Sequence, residues 1–247
     1  VALLDLFVTC PQRRPTYYLT LASLAAVAGL HLCALDDGSS VYAMQKMVVT
    51  DAMGHLLSLC ATLAVAASLV YAQVYAGPRD MLKGELFTLS MFALLGISIM
   101  IIGNNFLSIY LGLELMSLSL YALVALRRDH AQSTEAAMKY FVLGALASGF
   151  LLYGLSMMYG ATGSLDIGEV YKATLTGQIN KQVLAFGLVF IVSGLAFKLG
   201  VVPFHMWVPD VYQGAPTAVT LLVAGAPKLA AFAITIRLLV EGLINLA

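Results

Sequence analysis

The chain has 247 residues, of which 61% are hydrophobic and only 11% are charged, and its mean hydropathy is +0.91. A soluble domain carries about 25% charged residues, so this composition argues against a soluble domain and predicts an integral membrane protein. The 13 basic and 13 acidic residues balance to zero, which gives no case for binding nucleic acid.

Apolar stretches of about 20 residues, the length that spans a bilayer as a helix, follow one another along the chain. We number the predicted helices one to eight and place them at 1–8 (a helix tail), 17–35, 51–76, 84–103, 105–126, 136–159, 183–203 and 216–241. Their frequent Gly, Ala and Ser residues are typical of helices that pack closely in lipid. The chain begins without Met and ends in apolar sequence, so we expect a piece of a longer protein.

The loops predict an orientation. Loops 11–15, 77–83 and 127–130 alternate with loops 36–50, 103–104 and 160–181. The first set carries Arg13, Arg14, Arg79, Lys83, Arg127 and Arg128, whereas the second carries Lys46, Lys172 and Lys181. Because basic loops stay in the cytoplasm, the first set is expected to face inward.

Cofactor motifs are missing from the sequence. Cys10, Cys33 and Cys60 have no CxxC partner, so neither an iron–sulfur cluster nor a zinc site is expected. The glycines of 160–164 favour a plain loop over a phosphate-binding loop. We therefore predict no metal and no cofactor in this chain.

Predicted helix seven has an unusual end. Gly200, Pro203 and Pro209 fall where the helix should finish, and proline removes a backbone donor and clashes with the preceding turn. One interpretation is a broken helix, as found at the ion sites of transporters. The other is a helix that ends at Pro203 and is followed by a loop. The spacing does not decide between them.

Several charged residues lie inside the apolar helices. Glu114 and Lys228 are near the middle of helices five and eight, and Lys198 precedes the break in helix seven. Each charge costs about 2.5–3.5 kcal/mol at the bilayer centre, and the three together cost roughly 10 kcal/mol. Whole domains are stable by only about 5–15 kcal/mol, so these charges should pair or face internal water.

Four candidate residues also have a simpler interpretation, whereas Lys228, which has no spare acid nearby in sequence, favours a functional or hydrated setting. Glu114 and Lys198 could form a purely structural ion pair. Lys139, one turn into helix six, could extend its ammonium to the interface. His205 suits a proton relay, but a lone histidine is more often simply hydrogen-bonded.

Other polar and aromatic residues are expected to have peripheral places. Arg237, near the outer end of helix eight, is expected to anchor the chain at the interface. Trp207 and Tyr212 fit an interfacial aromatic belt. His31, His55 and His130 lie near membrane ends or in loops and receive no role.

Four stretches of sequence carry a family resemblance. They are 202–217, with the form VPFHMWVPDVYQGAPT, the helix-five segment 113–123, and the pair 135–148 and 151–164. They resemble the antiporter-like membrane subunits of bacterial respiratory NADH:quinone oxidoreductase, complex I. The resemblance covers nearly the whole chain and is most specific from about residue 100 onward.

The resemblance implies an all-α fold, a polytopic membrane helix bundle of the antiporter-like type with one five-helix repeat and a broken helix seven. Residues 1–83 would form the N-terminal transmembrane helices and 84–241 the first repeat, with the second repeat absent from this chain. The family's proton-translocating positions fall on the following residues: Glu114, Lys139, Lys198, Lys228 and His205.

The implied function is proton translocation in the membrane arm, coupled to quinone reduction elsewhere in the complex. Glu114 would modulate Lys198, with Lys139 near that pair, and Lys198 would pass a proton to Lys228. NADH, flavin, iron–sulfur clusters and quinone are expected in partner subunits. The expected partners are other membrane-arm subunits, including further antiporter-like ones, in a bacterial inner membrane. The alternative is a subunit of a multisubunit cation/proton antiporter.

Overall fold

The computed structural model describes residues 1–8, 13–79, 81–176 and 180–242. The α-helices are α1 (Ala2–Asp5), α2 (Arg14–Asp37), α3 (Ala52–Ala76), α4 (Gly84–Ile102), α5 (Phe106–Val124), α6 (Ala131–Thr162), α7 (Ile167–Thr176), α8 (Lys181–Leu199), α9 (Trp207–Gly214), α10 (Thr217–Ala224) and α11 (Ala226–Thr235). A 3-10 turn covers Gly77–Arg79, a π-helix covers Ile236–Gly242, and strands β1 (Val41–Ala43) and β2 (Val48–Thr50) form an antiparallel hairpin.

Seven helical segments in the described ranges are long and apolar enough to cross a membrane. They correspond to predicted helices two to eight, so the predicted helix bundle is confirmed. Hydropathy did not predict the β1–β2 hairpin or α7, because both are too short to span lipid. Both lie in predicted outer loops, where backbone hydrogen bonds from Asn104 to Met47 (3.0 Å) and from Ile167 to Asn104 (3.2 Å) tie three loops together.

Glycines let two helix pairs approach closely. A Cβ atom at Gly96 of α4 would lie 2.6 Å from the carbonyl oxygen of Gly112 in α5, and one at Gly154 of α6 would lie 2.7 Å from that of Gly187 in α8. No side chain larger than hydrogen fits either position without moving the partner backbone. This packing holds α5 and α8, which carry Glu114 and Lys198, against their neighbours in the bundle.

Predicted helix seven is broken, as one of the two interpretations proposed. The helical segment α8 ends at Leu199, where Gly200 takes a left-handed conformation (φ 75°), and the chain becomes helical again in α9. The first helical part therefore ends four residues before Pro203.

Predicted helix eight is also broken, contrary to the continuous span 216–241 that we predicted. It divides at Gly225 (φ −97°, ψ −90°) into α10 and α11. Pro227 lies in the first turn of α11, where its missing N–H is tolerated, but it cannot donate to the preceding turn. Hydropathy did not predict this break, because the residues on both sides of it are apolar.

Candidate functional site

Lys198 is buried in the last turn of α8, with 7% of its surface exposed. Its ammonium donates a hydrogen bond to the hydroxyl of Ser117 at 2.7 Å and lies 5.9 Å from the ring centre of Tyr121. Ser117 and Tyr121 are four residues apart in α5 and therefore share one face of that helix. A buried charge is costly unless it is hydrogen-bonded, and Ser117 provides that bond.

Glu114 lies three residues before Ser117, on the same face of α5. Its Oε1 atom is buried and accepts no hydrogen bond from any residue that the structure describes. Glu114 is close enough to Lys198 for their charges to attract, but the two form no ion pair among the described residues. The structure thus shows these residues apart, with the neutral Ser117 hydroxyl holding the ammonium of Lys198.

Lys228 lies in the first turn of α11, directly after the break at Gly225. Its ammonium donates hydrogen bonds to the backbone carbonyls of Lys198 (2.9 Å) and Leu199 (2.8 Å). These carbonyls belong to the end of α8, which carries the negative end of the helix dipole. The two helix breaks therefore meet, and Lys228 contacts the backbone of Lys198 directly.

Trp207 does not belong to an interfacial belt, and that prediction was wrong. Its side chain is 2% exposed, stacks on Tyr140 with ring centres 4.8 Å apart, and donates its indole N–H to the carbonyl of Phe197 at 2.9 Å. Its ring centre lies 5.1 Å from the ammonium of Lys228. Tyr212 packs edge-on against Trp207 and is partly buried, and this burial raises the pKa of its hydroxyl. The break in predicted helix seven turns both rings inward.

Lys139, which we predicted near Glu114 and Lys198, forms its ion pairs with other residues in the described ranges. Its ammonium forms ion pairs with Glu135 (2.9 Å) and with Asp210 of α9 (3.1 Å). It lies in the third turn of α6, about half exposed, because that side of α6 packs against α9.

His205 lies between α8 and α9 and is exposed. Within the described ranges, its side chain makes no hydrogen bond. The structure therefore brings Lys198, Ser117, Glu114 and Lys228 together, whereas Lys139 and His205 remain outside that group.

Arg237 is not an interfacial anchor, and that prediction was also wrong. It is 2% exposed, donates Nε–H to the carbonyl of Ile101 (2.7 Å), and pairs through Nη2 with Asp51 (2.8 Å). Asp51 also caps α3 by accepting the backbone N–H of Gly54 at 2.7 Å. The guanidinium points inward because the ends of α3 and α4 supply an acid and a carbonyl there. An Asp directly before an apolar run predicts a helix N-cap. The position of Asp51 before α3 is therefore the sequence signal that could have marked this partner of Arg237.

The described residues contain no group of three or more His, Cys, Asp or Glu side chains able to hold a metal. Cys33 and Cys60 are exposed free thiols, and Cys10 lies outside the described residues. The site is thus built of a carboxylate, hydroxyls and ammonium groups, which are suited to holding and passing protons.

Comparisons with known proteins identify the family of this fold. Residues 103–245 match the transmembrane family described as NADH:quinone oxidoreductase/Mrp antiporter. NADH-quinone oxidoreductase subunit N of Polaromonas naphthalenivorans (strain CJ2) is 64% identical over 248 residues, which cover all of this chain and 50% of that protein. The chain thus spans about half the length of the curated relatives it matches. The stretch 209–216 likewise resembles subunit N, in the form Pro-Asp-Val-Tyr-Gln-Gly-Ala-Pro.

Two solved structures share the fold. A chain of respiratory complex I from Thermus thermophilus with bound aureothin aligns with a TM-score of 0.79 and 35% identity, covering 94% of this chain and 49% of that one. A chain of the Mrp complex from Dietzia sp. DQ12-45-1b has the same TM-score at 21% identity, covering 92% of this chain and 44% of that one. The second likeness shows the fold alone.

Proposed function

Because the chain belongs to the NADH:quinone oxidoreductase/Mrp antiporter transmembrane family, we propose that it is part of subunit N, a proton-translocating membrane-arm subunit of NADH:quinone oxidoreductase. Residues 1–83 are proposed as N-terminal transmembrane helices and 84–241 as the first five-helix repeat. The second repeat would belong to the remaining half of the protein. The proposed partners are the other membrane-arm subunits, in a bacterial inner membrane.

The contact between the two broken helices carries this proposal. Lys198 is held by the neutral Ser117 hydroxyl at 2.7 Å, while Lys228 donates to the carbonyl of Lys198 at 2.9 Å. Glu114, with one oxygen unbonded among the described residues, lies on the Ser117 side of Lys198. This order supports a route that runs from Glu114 as charge modulator through Lys198 to Lys228.

The proposed switch is a movement of the Lys198 ammonium between Glu114 and Ser117. Beside the carboxylate, Lys198 retains its proton, whereas beside the hydroxyl it loses that attraction. It can then pass the proton to Lys228 once Lys228 has released its own proton onward and is a neutral amine. Two unit charges at 4 Å attract by about 4 kcal/mol at an effective dielectric constant of 20. Moving one charge against about 150 mV costs roughly 3.5 kcal/mol. One such switch therefore matches the work of moving one proton.

Lys139 and His205 are proposed to act at the inward-facing end of this route. Lys139 lines a cavity of about 120 Å³ together with Glu135 and Asp210. A group of mixed charge open to water is suited to delivering protons from the cytoplasm to the buried lysines. His205 would bridge a gap between these groups with the help of water.

The chain is proposed to act as one subunit of a translocase. The redox reaction, with its NADH, flavin, iron–sulfur clusters and quinone, is assigned to partner subunits. The alternative, a subunit of a cation/proton antiporter, has the fold of the Dietzia complex in its favour. Sodium-dependent proton fluxes without NADH would favour that alternative.

The test uses the full-length subunit in its assembled complex, in inverted membrane vesicles. Glu114→Ala and Lys228→Ala are expected to abolish NADH-driven proton pumping while the complex remains assembled. The exposed Lys172→Ala serves as a control, because Lys172 lies outside the route on α7. Normal proton-to-electron ratios in either assembled site variant would contradict the proposal.

A further inference from the structure

A basic cavity of about 210 Å³ lies where the loop after α3 meets the loop after α5. Its polar lining consists of Arg79, Lys83, Arg127, Arg128, Asp129 and His130. Four of these side chains are basic and one is a carboxylate. The cavity is several times larger than the volume of one water molecule, about 30 Å³.

Two of the four cations have local partners. Arg128 pairs with Glu85 at 2.9 Å, with both side chains largely exposed. Arg79 donates to the carbonyl of Tyr75 at 3.0 Å and lies 4.1 Å from the centre of its ring. These contacts fix the two guanidinium groups at the edge of the cavity.

The other two cations have no acidic partner in the described part of the chain. Lys83 is exposed directly before α4, and Arg127 is partly buried directly after α5. Arg127 and Arg128 are adjacent, so their charges repel each other unless an anion lies between them. Asp129 and Glu85, the latter already paired with Arg128, leave the four cations with an excess of two positive charges.

The position of the cavity indicates the kind of anion. The helices α3, α4, α5 and α6 all begin or end around it, so it lies at one face of the bundle, and its basic loops place that face in the cytoplasm. Phospholipid phosphates lie at this level, and basic pockets between transmembrane helices bind anionic headgroups there. The fork of Arg127 is suited to two phosphate oxygens, and Lys83 adds a point charge. We propose that this cavity binds the phosphate of an anionic phospholipid of the cytoplasmic leaflet.

The test counts lipids on the full-length protein, purified in detergent with the subunits it carries. Native mass spectrometry measures retained phosphatidylglycerol and phosphatidylcholine after delipidation and re-addition of each lipid. The double variant Lys83→Gln/Arg127→Gln is expected to lose one phosphatidylglycerol per copy and no phosphatidylcholine. Lys46→Gln/Lys172→Gln removes two exposed lysines from the other face, one in the β1–β2 turn and one on α7, and is expected to retain the wild-type number. The single variant Lys83→Gln changes only one exposed side chain and serves as the test if the double variant folds poorly. It should show a partial loss of bound phosphatidylglycerol.

Other outcomes separate the possible occupants. Equal phosphatidylglycerol retention in the wild type and both Lys83 variants would overturn the proposal. Binding of inorganic phosphate that requires Lys83 and Arg127, without any change in lipid count, would assign the cavity to free phosphate and overturn the lipid assignment. Loss of a neighbouring subunit instead of a lipid would identify the patch as a protein interface, which also overturns it.

Discussion

Replacing Ser117 with Ala tests whether the position of Lys198 controls proton transfer. The Ser117 hydroxyl accepts the 2.7 Å hydrogen bond from the buried ammonium, and a hydrogen bond to a charged group contributes about 1.5–3 kcal/mol. Without that bond, Glu114 offers Lys198 a charged acceptor, since its buried Oε1 is unbonded among the described residues. A free-energy change of about 1.4 kcal/mol is a factor of ten in an equilibrium. The ratio of the Glu114-bound to the Ser117-bound position of the ammonium should therefore rise by roughly 10- to 100-fold. A lysine held by a carboxylate retains its proton, so pumping should fall steeply.

The assay measures protons pumped per NADH oxidised in inverted vesicles, after the amount of assembled complex is equalised. Ser119→Ala is the matched control, since Ser119 is a buried serine of the same helix whose hydroxyl donates only to its own helix, to Leu115 at 2.7 Å. Ser117→Thr retains a hydroxyl and should restore pumping. If Ser117→Ala pumps as well as Ser119→Ala, Lys198 does not depend on this contact and the proposed switch is refuted.

Two further predictions concern the supports of the site. Arg237→Met removes one partner of a buried ion pair, which costs about 3–5 kcal/mol, whereas Arg128→Met removes an exposed pair worth about 0–1 kcal/mol. Thermal unfolding of the purified full-length protein should therefore give a lower melting temperature for Arg237→Met than for Arg128→Met. Equal melting temperatures would contradict the burial argument. Gly200→Ala and Gly163→Ala both place a Cβ atom on a left-handed residue (φ 75° and 74°), but only at Gly200 does it meet Lys228, 3.3 Å from Nζ. Both should lose about 1–2 kcal/mol of stability, and only Gly200→Ala should also lose pumping in an assembled complex.

The membrane spans could be predicted because lipid imposes a length and an apolar composition on every helix. The same criterion does not detect a break between two apolar segments, and for this reason the division at Gly225 was missed. The Gly225-Ala-Pro227 sequence carried the signal, since both residue types interrupt helices. The hairpin and α7 were missed for a different reason. They lie in loops outside the lipid, where hydropathy does not predict secondary structure.

The identity of the charged residues was predictable, whereas their partners were not. A buried Lys228 had to find compensation, but its acceptors are the carbonyls of Lys198 and Leu199, and every residue has a carbonyl. The partner of Arg237 is Asp51, 186 positions away, and no local pattern joins them. Sequence therefore identifies which charges are costly, and the fold decides what compensates them.

The capping of α8 by Lys228 bears on how a relay lysine could lose its charge. A helix end leaves unbonded carbonyls, and each costs several kcal/mol inside a membrane. The ammonium of Lys228 has three N–H donors, of which two satisfy the carbonyls of Lys198 and Leu199. A neutral amine still has two N–H donors, so the third proton can leave without exposing the end of α8. The proposed proton transfer therefore needs no rearrangement of the helix break, only a change in the charge that surrounds it.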